Sequence, residues 1–280
     1  MKRRGLGNLL SLILMLITAS AITLASYYAQ LHMEQRLIAE LQNSLTSLRD
    51  STHQAIHALH SELVQTASVL AADKRVIRLS ARLIADSNSG VSPKDSTAQS
   101  ELRAILNPIV EARSFRGYFV IREDGLSLAS SRDINTGTEN LLKDTEYLSR
   151  VWNGESLITL PIKSDVPLRN KEGVFVEAAP TMFALAPIPD IFGDVIAVMA
   201  LRVDPEVSVY ELLRRGELGD SGDTYIFGSQ GTILSPLHYE SDFRVQRAIA
   251  PTRNLILEHS LFPQETIGSF EGNQYQRMVG

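Results

Sequence analysis

The sequence predicts an α+β protein in which a membrane-spanning helix and a long helix precede antiparallel sheets. Three observations support this prediction: an uncharged apolar run at residues 9–28, a stretch at 29–85 without proline or glycine, and a later change to strand patterns around an Asp-Gly pair. About 20 apolar residues are enough to cross a bilayer as a helix. Apolar residues three, four or seven apart favour a helix, and Asp-Gly between two hydrophobic runs favours a β-hairpin.

Composition and charge limit the classes of function. The 280 residues are 44% hydrophobic and 21% charged, which is ordinary for a globular protein. The formal net charge is −5, and because Lys2, Arg3 and Arg4 contribute +3, the rest of the chain carries −8. An acidic body disfavours nucleic acid as a partner, since phosphate binding requires a basic face. The chain has no cysteine, which excludes disulfides and thiolate metal sites.

The apolar run at residues 9–28 is predicted to be a transmembrane helix in the lipid bilayer, with residues 1–8 cytoplasmic and the body outside. Basic residues precede the run and stay on the cytoplasmic side, while Tyr27 and Tyr28 fit an interfacial aromatic belt. The alternative is a cleaved signal peptide, because Ala19-Ser20-Ala21 has the small residues of a cleavage site. The helical pattern continues past Tyr28 without a break, which favours the retained anchor.

Residues 29–86 are predicted to form one long stalk helix, straight or bent, with an apolar stripe. The stripe consists of Ile38, Leu41, Leu45, Leu48, Ile56, Leu59, Leu63 and Leu70. A stripe on a helix that has just left the membrane needs a partner, and a second copy of the same helix would give a homodimer. Beyond Ile56 the stripe could instead pack on the chain's own sheet.

The pattern changes from helix to strand after a shorter helix at about residues 98–113, which Pro108 should kink or split. Alternation along the last strand places Met199, Leu201 and Val203 on one face and Val198, Ala200 and Arg202 on the other. The segment 119–128 has an echo at 225–234, where a strand, a glycine turn and a second strand recur. Strands are predicted at residues 118–121, 126–130, 157–160, 174–179, 181–186 and 195–203, with Pro180 at a bulge or an edge.

Three stretches resemble double Cache sensor domains, the PAS-like extracytoplasmic modules of bacterial receptors. They are residues 116–125 with 129–132, residues 186–190 with 193–205, and residues 219–225 followed by 234–236. The resemblance implies tandem modules with antiparallel sheets: a membrane-distal module at 87–205 and an incomplete membrane-proximal module at 206–280. It further implies a sensor in the bacterial inner (cell) membrane that binds a small-molecule ligand and signals through the long helix, with any output domain beyond residue 280.

The resemblance implies a ligand site between the sheet and the loops that cross it. Amino-acid-binding members of the family hold the ligand amine with an Asp near the end of the closing strand, and Arg202 stands about where that Asp is expected. A guanidinium there favours a carboxylate-bearing solute. Each candidate also has an ordinary alternative: a core aromatic, a surface or strand residue, or, for Arg202, pairing with a carboxylate such as Glu177 or Asp204. The candidate ligand-binding residues are Tyr118, Arg132, Tyr147, Trp152, Thr181, Phe183 and Arg202.

The sequence lacks a residue set for catalysis. Gly219-Asp220-Ser221-Gly222 matches the nucleophile segment of trypsin-like proteases, but Asp223 stands where a second glycine is required and the upstream histidines all lie in the helical region. There is no Walker loop, His-Glu-x-x-His or Gly-x-Ser-x-Gly motif. We therefore expect no enzyme activity, no cofactor and no metal in this chain. The alternatives to a ligand sensor are a periplasmic protein-interaction module and the N-terminal part of a signalling enzyme whose catalytic domain is missing.

Overall fold

The computed structural model describes residues 3–170, 173–217, 224–226, 234–236, 268–272 and 275–279. These residues form an α+β structure, as the sequence predicts. The α-helices are α1 (Arg3–Ala71), α2 (Lys74–Asn88), α3 (Thr97–Ala112), α4 (Glu146–Trp152) and α5 (Val209–Arg215). The strands are β1 (Gly117–Ile121), β2 (Ser127–Ser130), β3 (Leu157–Ile158), β4 (Ile162–Lys163), β5 (Leu168–Arg169), β6 (Phe175–Val176), β7 (Pro180–Pro189), β8 (Val195–Val203), β9 (Gly268–Gly272) and β10 (Tyr275–Val279).

The chain divides into two compact units. One unit comprises residues 1–51 and 262–280, and its described part consists of the first two-thirds of α1 and the antiparallel hairpin β9–β10. The other comprises residues 52–261 and contains the remaining elements. The candidate site lies entirely within this second unit, which we call the sensor body.

The N-terminal part of α1 is suited to cross a membrane. Within the described residues, α1 is the single helix long and apolar enough to do so, with a mean hydropathy of 1.8 in its most apolar window. None of that window is buried, as expected when the surrounding solvent is lipid rather than protein. The predicted transmembrane helix at residues 9–28 lies within this stretch.

The apolar stripe of α1 changes its surroundings along the helix. Ile38 and Leu41 are exposed large hydrophobic residues. From Ile56 onward, the stripe packs against the core of the sensor body, and Leu70 is buried in it. This confirms that the C-terminal part of the stripe packs on the chain's own sheet and helices, whereas Leu45 and Leu48 are half-buried and Ile38 and Leu41 are exposed among the described residues.

The prediction of one continuous helix over residues 29–86 is wrong, because α1 ends at Ala71 and α2 begins at Lys74. Asp73 lies between them in extended conformation and is the N-cap of α2, where its carboxylate accepts a hydrogen bond from the Arg75 backbone N–H at 2.8 Å. Hydrogen bonds from the Arg75 side chain and then its backbone lower the pKa of Asp73 to about 2. The cap therefore stays charged at neutral pH and starts a new helix.

The sensor body is built on a six-stranded antiparallel sheet. Its order is β2-β1-β8-β7-β3, and β4 also pairs with β7, one step further along the same edge. Strand β8 has the predicted bounds, and the Asp-Gly pair forms the predicted turn between β1 and β2. Gly125 has a φ of +81° and donates its N–H to the Arg122 carbonyl at 2.9 Å, a backbone conformation that glycine adopts without strain.

Strand β7 and helix α3 both continue through prolines at which the sequence predicts an end or a kink. Strand β7 continues through Pro187 to Pro189, whereas β3 and β4 pair with it only between Pro180 and Leu185. Among the described strands, the later prolines pair with β8 alone, and a strand with a free edge tolerates residues that lack an N–H. Likewise α3 continues past Pro108 and is not split.

Two hydrophobic clusters cover the two faces of the sheet. One contains Met199, Leu201 and Val203 of β8 with buried residues of α1, α2, α3 and α5; we call this the helical face. The other contains Val198 and Ala200 with residues of α4 and the neighbouring loops; we call this the loop face. The clusters confirm the predicted alternation along β8, which places Arg202 on the loop face.

Helix α5 follows the predicted module boundary at residues 205 and 206 and packs with the core that precedes it. Val209, Tyr210 and Leu213 of α5 are buried in the same cluster as the helical face of the sheet. The distal core therefore extends at least to the end of α5. Most of the predicted proximal module, including most of the echo at 225–234, lies outside the described residues.

Candidate functional site

Arg202 is a buried cation in the middle of the sheet. It lies near the end of β8, opposite Gly117 of β1 on one side and Phe183 of β7 on the other. Its side chain is only 4% exposed. The guanidinium carbon lies 5.2 Å from the ring centroid of Phe119 and 5.1 Å from that of Phe183, so two aromatic rings hold the charged group by cation–π contact.

Glycine is required opposite Arg202. Gly117 has a φ of +154°, and a Cβ atom at this position would lie 2.5 Å from the Ser131 hydroxyl oxygen. Directly paired residues place their side chains on the same face of a sheet. The β1 neighbour of Arg202 therefore has no side chain on the loop face, and the guanidinium is bordered there by Phe119 instead.

The protein carboxylate that contacts Arg202 is Asp165. Arg202 Nη2 donates to Asp165 Oδ1 at 3.0 Å, and the Asp165 side chain is 40% exposed. Asp165 lies in the loop between β4 and β5, which Ser164 anchors by donating its backbone N–H to the Ala179 carbonyl at 2.9 Å. The two partners suggested by the sequence do not contact Arg202 in this way: Asp204 pairs with Arg116, and Glu177 is exposed.

Three buried polar groups near this pair make no hydrogen bond within the described part of the chain. They are the Nε of Arg202, the Nε of Arg116 and the hydroxyl of Thr181. A buried donor without an acceptor costs about 1–3 kcal/mol, so such groups are rare unless water or a ligand completes them. Thr181 lies two residues before Phe183 on β7 and faces the same side as Arg202. The loop face thus presents unfilled donors next to an aromatic-lined cation.

The electrostatic environment favours an anion. Burial lowers the pKa of Arg202, Asp165 raises it, and the positive charges of Arg132 and Arg116 lower it further. The three guanidiniums of Arg202, Arg132 and Arg116 face two carboxylates, those of Asp165 and Asp204. The net charge of these five groups is therefore +1. A guanidinium stays protonated despite such a shift, and a bound anion would relieve both the desolvation and the repulsion.

Six of the seven predicted site residues lie on or beside the loop face. Arg202, Phe183 and Thr181 are buried in the sheet. Tyr147 and Trp152 lie on α4, half-buried against the hydrophobic cluster of the loop face. Arg132 is exposed after the end of β2, and its charge acts on Arg202.

The structure does not bring Tyr118 to this site. Tyr118 pairs with Leu201 rather than Arg202, so strand alternation turns it to the helical face, where it is fully buried. Burial raises the pKa of its hydroxyl, and the neighbouring Arg103 on α3 opposes that rise. Tyr118 is therefore a core residue beneath the helices and is removed from the set of candidate ligand contacts.

Three residues of the site were not predicted, namely Arg116, Phe119 and Asp165, and Asp204 was expected to pair with Arg202 rather than with Arg116. Strand alternation separates Phe119 from Tyr118, but which of the two shares a face with Arg202 depends on the pairing of β1 with β8. Arg116 and Asp204 stand at the ends of paired strands, but their contact depends on the β1–β8 register. Asp165 reaches Arg202 through a loop that no periodicity describes, so the sequence held no signal for it.

The chain is similar to sensor domains of bacterial receptors. It is 15% identical to the sensor domain of the histidine kinase DctB of V. cholerae, with a TM-score of 0.47 over 72% of this chain and 67% of that one. It is also 15% identical to the ligand-binding domain of the Pseudomonas aeruginosa amino acid chemoreceptor PctC in complex with GABA, with a TM-score of 0.44 over 72% of this chain and 78% of that one.

A third similar structure is the E. coli DcuS sensor domain, which is 15% identical, with a TM-score of 0.36 over 60% of this chain and 98% of that one. No protein-family model matches the sequence, and no curated protein matches it either.

Proposed function

We propose that the chain is the extracytoplasmic ligand-sensing region of a transmembrane signal-transduction receptor, and that it binds a small solute bearing a carboxylate. The observation that supports this most directly is Arg202, a nearly inaccessible guanidinium whose Nε has no acceptor in the described part of the chain. If Arg202 served only in a structural ion pair, its buried Nε would be desolvated without gaining a hydrogen bond, which is costly. A ligand that accepts a hydrogen bond from Nε would compensate for that cost.

A carboxylate fits this site better than other solutes do. Its two oxygens match two neighbouring N–H donors of one guanidinium, with charge-assisted bonds roughly twice as strong as neutral ones. The rings of Phe119 and Phe183 exclude water from the guanidinium and lower the local dielectric, which strengthens that contact. Tyr147, Trp152 and Thr181 would then contact the rest of the solute, and Arg132 would add a second positive charge at the rim.

The expected result is stabilisation of the full chain by a subset of carboxylates. In a thermal-unfolding screen of detergent-solubilised protein, acetate, succinate, benzoate and larger acids are compared with their amides and with methylammonium. A solute at about 100 times its Kd adds about 2.7 kcal/mol, which shifts the Tm of a body of this size by about 5–10 °C. Stabilisation by cationic solutes, or by amides as much as by acids, would contradict the proposal.

We also propose that α1 anchors the sensor in the inner membrane and pairs with a second copy of itself to form a homodimer. Ile38 and Leu41 support pairing, because both are exposed large hydrophobic residues, whereas the stripe residues from Ile56 onward pack against the core of the sensor body. A signal could then pass along the continuous helix α1 as a change in how two copies pack.

The pairing predicts position-dependent cross-linking. Cys in place of Leu41 should form a disulfide between copies when intact cells are oxidised, whereas Cys in place of Glu40, also exposed but off the stripe, should do so much less. A membrane-impermeant maleimide should label the Glu40→Cys variant in intact cells, since this segment lies outside. Equal cross-linking at both positions would exclude a specific helix pair, and absence of labelling would exclude the topology.

A protein-interaction module is the second candidate function. Ile191 and Phe192 at the turn between β7 and β8 are 87% and 84% exposed, which is unusual for large apolar residues. Asp190 fixes this turn by accepting hydrogen bonds from the backbone N–H groups of Phe192 and Asp194. A rigid apolar tip suits contact with another protein, and a screen in which no carboxylate stabilises the chain would favour this function.

A further inference from the structure

The pair between Arg202 and Asp165 is asymmetric. The Arg202 side chain is 4% exposed, while the Asp165 side chain is 40% exposed and lies on a loop. Only one oxygen of Asp165 contacts only one nitrogen of Arg202, at 3.0 Å, and Arg202 Nε remains without an acceptor. The Asp165 carboxylate can therefore be hydrated when it leaves the contact, whereas Arg202 stays buried in the sheet and needs another anion in its place.

We propose that Asp165 competes with the solute for Arg202. The Asp165 carboxylate pairs with Arg202 until the carboxylate of the solute replaces it. This inference rests on the proposed function, since it assigns the incoming group to the same guanidinium. It makes Asp165 a specificity-determining residue, which sets how well a solute must match Arg202 before it binds.

The exchange is favourable because the solute can use a donor that Asp165 leaves unfilled. A carboxylate that approaches the guanidinium from the side accepts from Nε and Nη2 together, which is the two-oxygen geometry typical of arginine. Asp165 fills Nη2 alone. A free carboxylate therefore gains one more charge-assisted hydrogen bond than the residue it displaces.

The loop that carries Asp165 does not depend on Arg202 for its shape. Ser164 donates its hydroxyl to the Val166 carbonyl at 2.6 Å, and its backbone N–H bonds to the Ala179 carbonyl. Both contacts persist when the Asp165 carboxylate turns outward. Exchange is thus a local side-chain event, and the three guanidiniums keep a counterion in both states.

A solute with a single uncharged acceptor would make no stronger contact with Arg202 than Asp165 does, so it would not displace Asp165 from the site. An amide or an alcohol offers no charge to balance Arg202, Arg116 and Arg132, so it cannot compensate for the departure of Asp165. Carboxylates that reach both donors are selected. The internal carboxylate therefore raises the concentration at which the sensor responds, and sharpens its preference for acids.

Chemical replacement of the missing carboxylate tests the proposal. Full-length Asp165→Ala in detergent should have a Tm about 5–10 °C below wild type, because Arg202 remains buried without a counterion. Acetate should restore much of that loss, and acetate titrations should show at least tenfold tighter binding to Asp165→Ala than to wild type. Acetamide at the same concentrations should have no effect on either protein. Asp165→Asn, which keeps the size and loses the charge, should show the same tighter binding.

Glu155→Ala is the matched control. Glu155 is also about half exposed and pairs with an arginine, but its partner Arg150 is 48% exposed rather than buried, so acetate should not act on this variant. Equal or weaker acetate binding by Asp165→Ala and Asp165→Asn relative to wild type would overturn the competitor role of Asp165. The proposed function is judged separately, by whether any carboxylate of the screen stabilises the wild-type protein.

Discussion

Replacing Arg202 with methionine is expected to abolish carboxylate binding while the sensor body remains folded. Arg202 supplies both N–H donors and the charge that the solute would contact, and truncation of one partner of a buried charged pair costs about 2–5 kcal/mol. The Kd of a carboxylate that stabilises the wild-type protein should therefore rise by roughly 30-fold to several thousandfold. Isothermal titration calorimetry on purified variants measures the change directly.

The fold should survive this substitution for a physical reason. Methionine is close in length to the buried stem of arginine, and its sulfur packs favourably between Phe119 and Phe183. Replacing a buried ion pair with a hydrophobic residue is often neutral or stabilising, and the released Asp165 is exposed enough to be hydrated. We expect an unchanged circular-dichroism spectrum and a Tm within a few degrees of wild type.

Arg150→Met is the control for the loss of a positive charge. Arg150 pairs with Glu155 at the surface, so its replacement should leave carboxylate affinity unchanged. A normal affinity in Arg202→Met, with a normal fold, would exclude Arg202 as the group that binds the solute. It would leave Arg202 as a structural cation whose partner is Asp165 alone.

The sequence predicts the face of each β8 residue correctly, because alternation is a local property of any strand. It also predicts that Arg202 needs an anionic partner, since both faces of β8 are apolar. It does not predict which anion, because Asp165 reaches Arg202 across 37 residues of chain and through a loop. The wrong placement of Tyr118 at the site also arises because local patterns do not predict distant contacts. Alternation separates Tyr118 from Phe119, but only the packing of the helices shows which of the two faces lies beneath them.

The break between α1 and α2 shows what local reasoning can miss. Residues 29–85 contain neither proline nor glycine, so the sequence favours one helix across residues 71–74. The signal for the break is Asp73, an N-cap residue whose carboxylate accepts from the Arg75 backbone N–H. The break has a structural consequence, since α2 then packs against α3 and the helical face of the sheet.

Replacing Phe183 with alanine is expected to lower the free energy of unfolding of the sensor body by about 3–5 kcal/mol. Phe183 is fully buried at the centre of the sheet, and its ring packs edge-on against Phe119 at a centroid distance of 6.1 Å. The substitution leaves a cavity on the loop face and removes one of the two rings that contact Arg202. Because domains of this size are stable by only about 5–15 kcal/mol, chemical denaturation should show the loss clearly.

A second Phe–Arg contact in the same unit separates the effect of burial from that of the cation–π pair. Phe175 lies 4.8 Å from the Arg169 guanidinium carbon, a distance close to that between Phe183 and Arg202, but Phe175 is 57% exposed. Phe175→Ala should cost less than about 1 kcal/mol, because water already screens an exposed cation–π contact and no cavity forms. Phe183→Leu, which keeps most of the volume and loses the ring, should fall between the two. Similar losses for Phe175→Ala and Phe183→Ala would show that the cation–π contact, rather than burial of the ring, stabilises this face of the sheet.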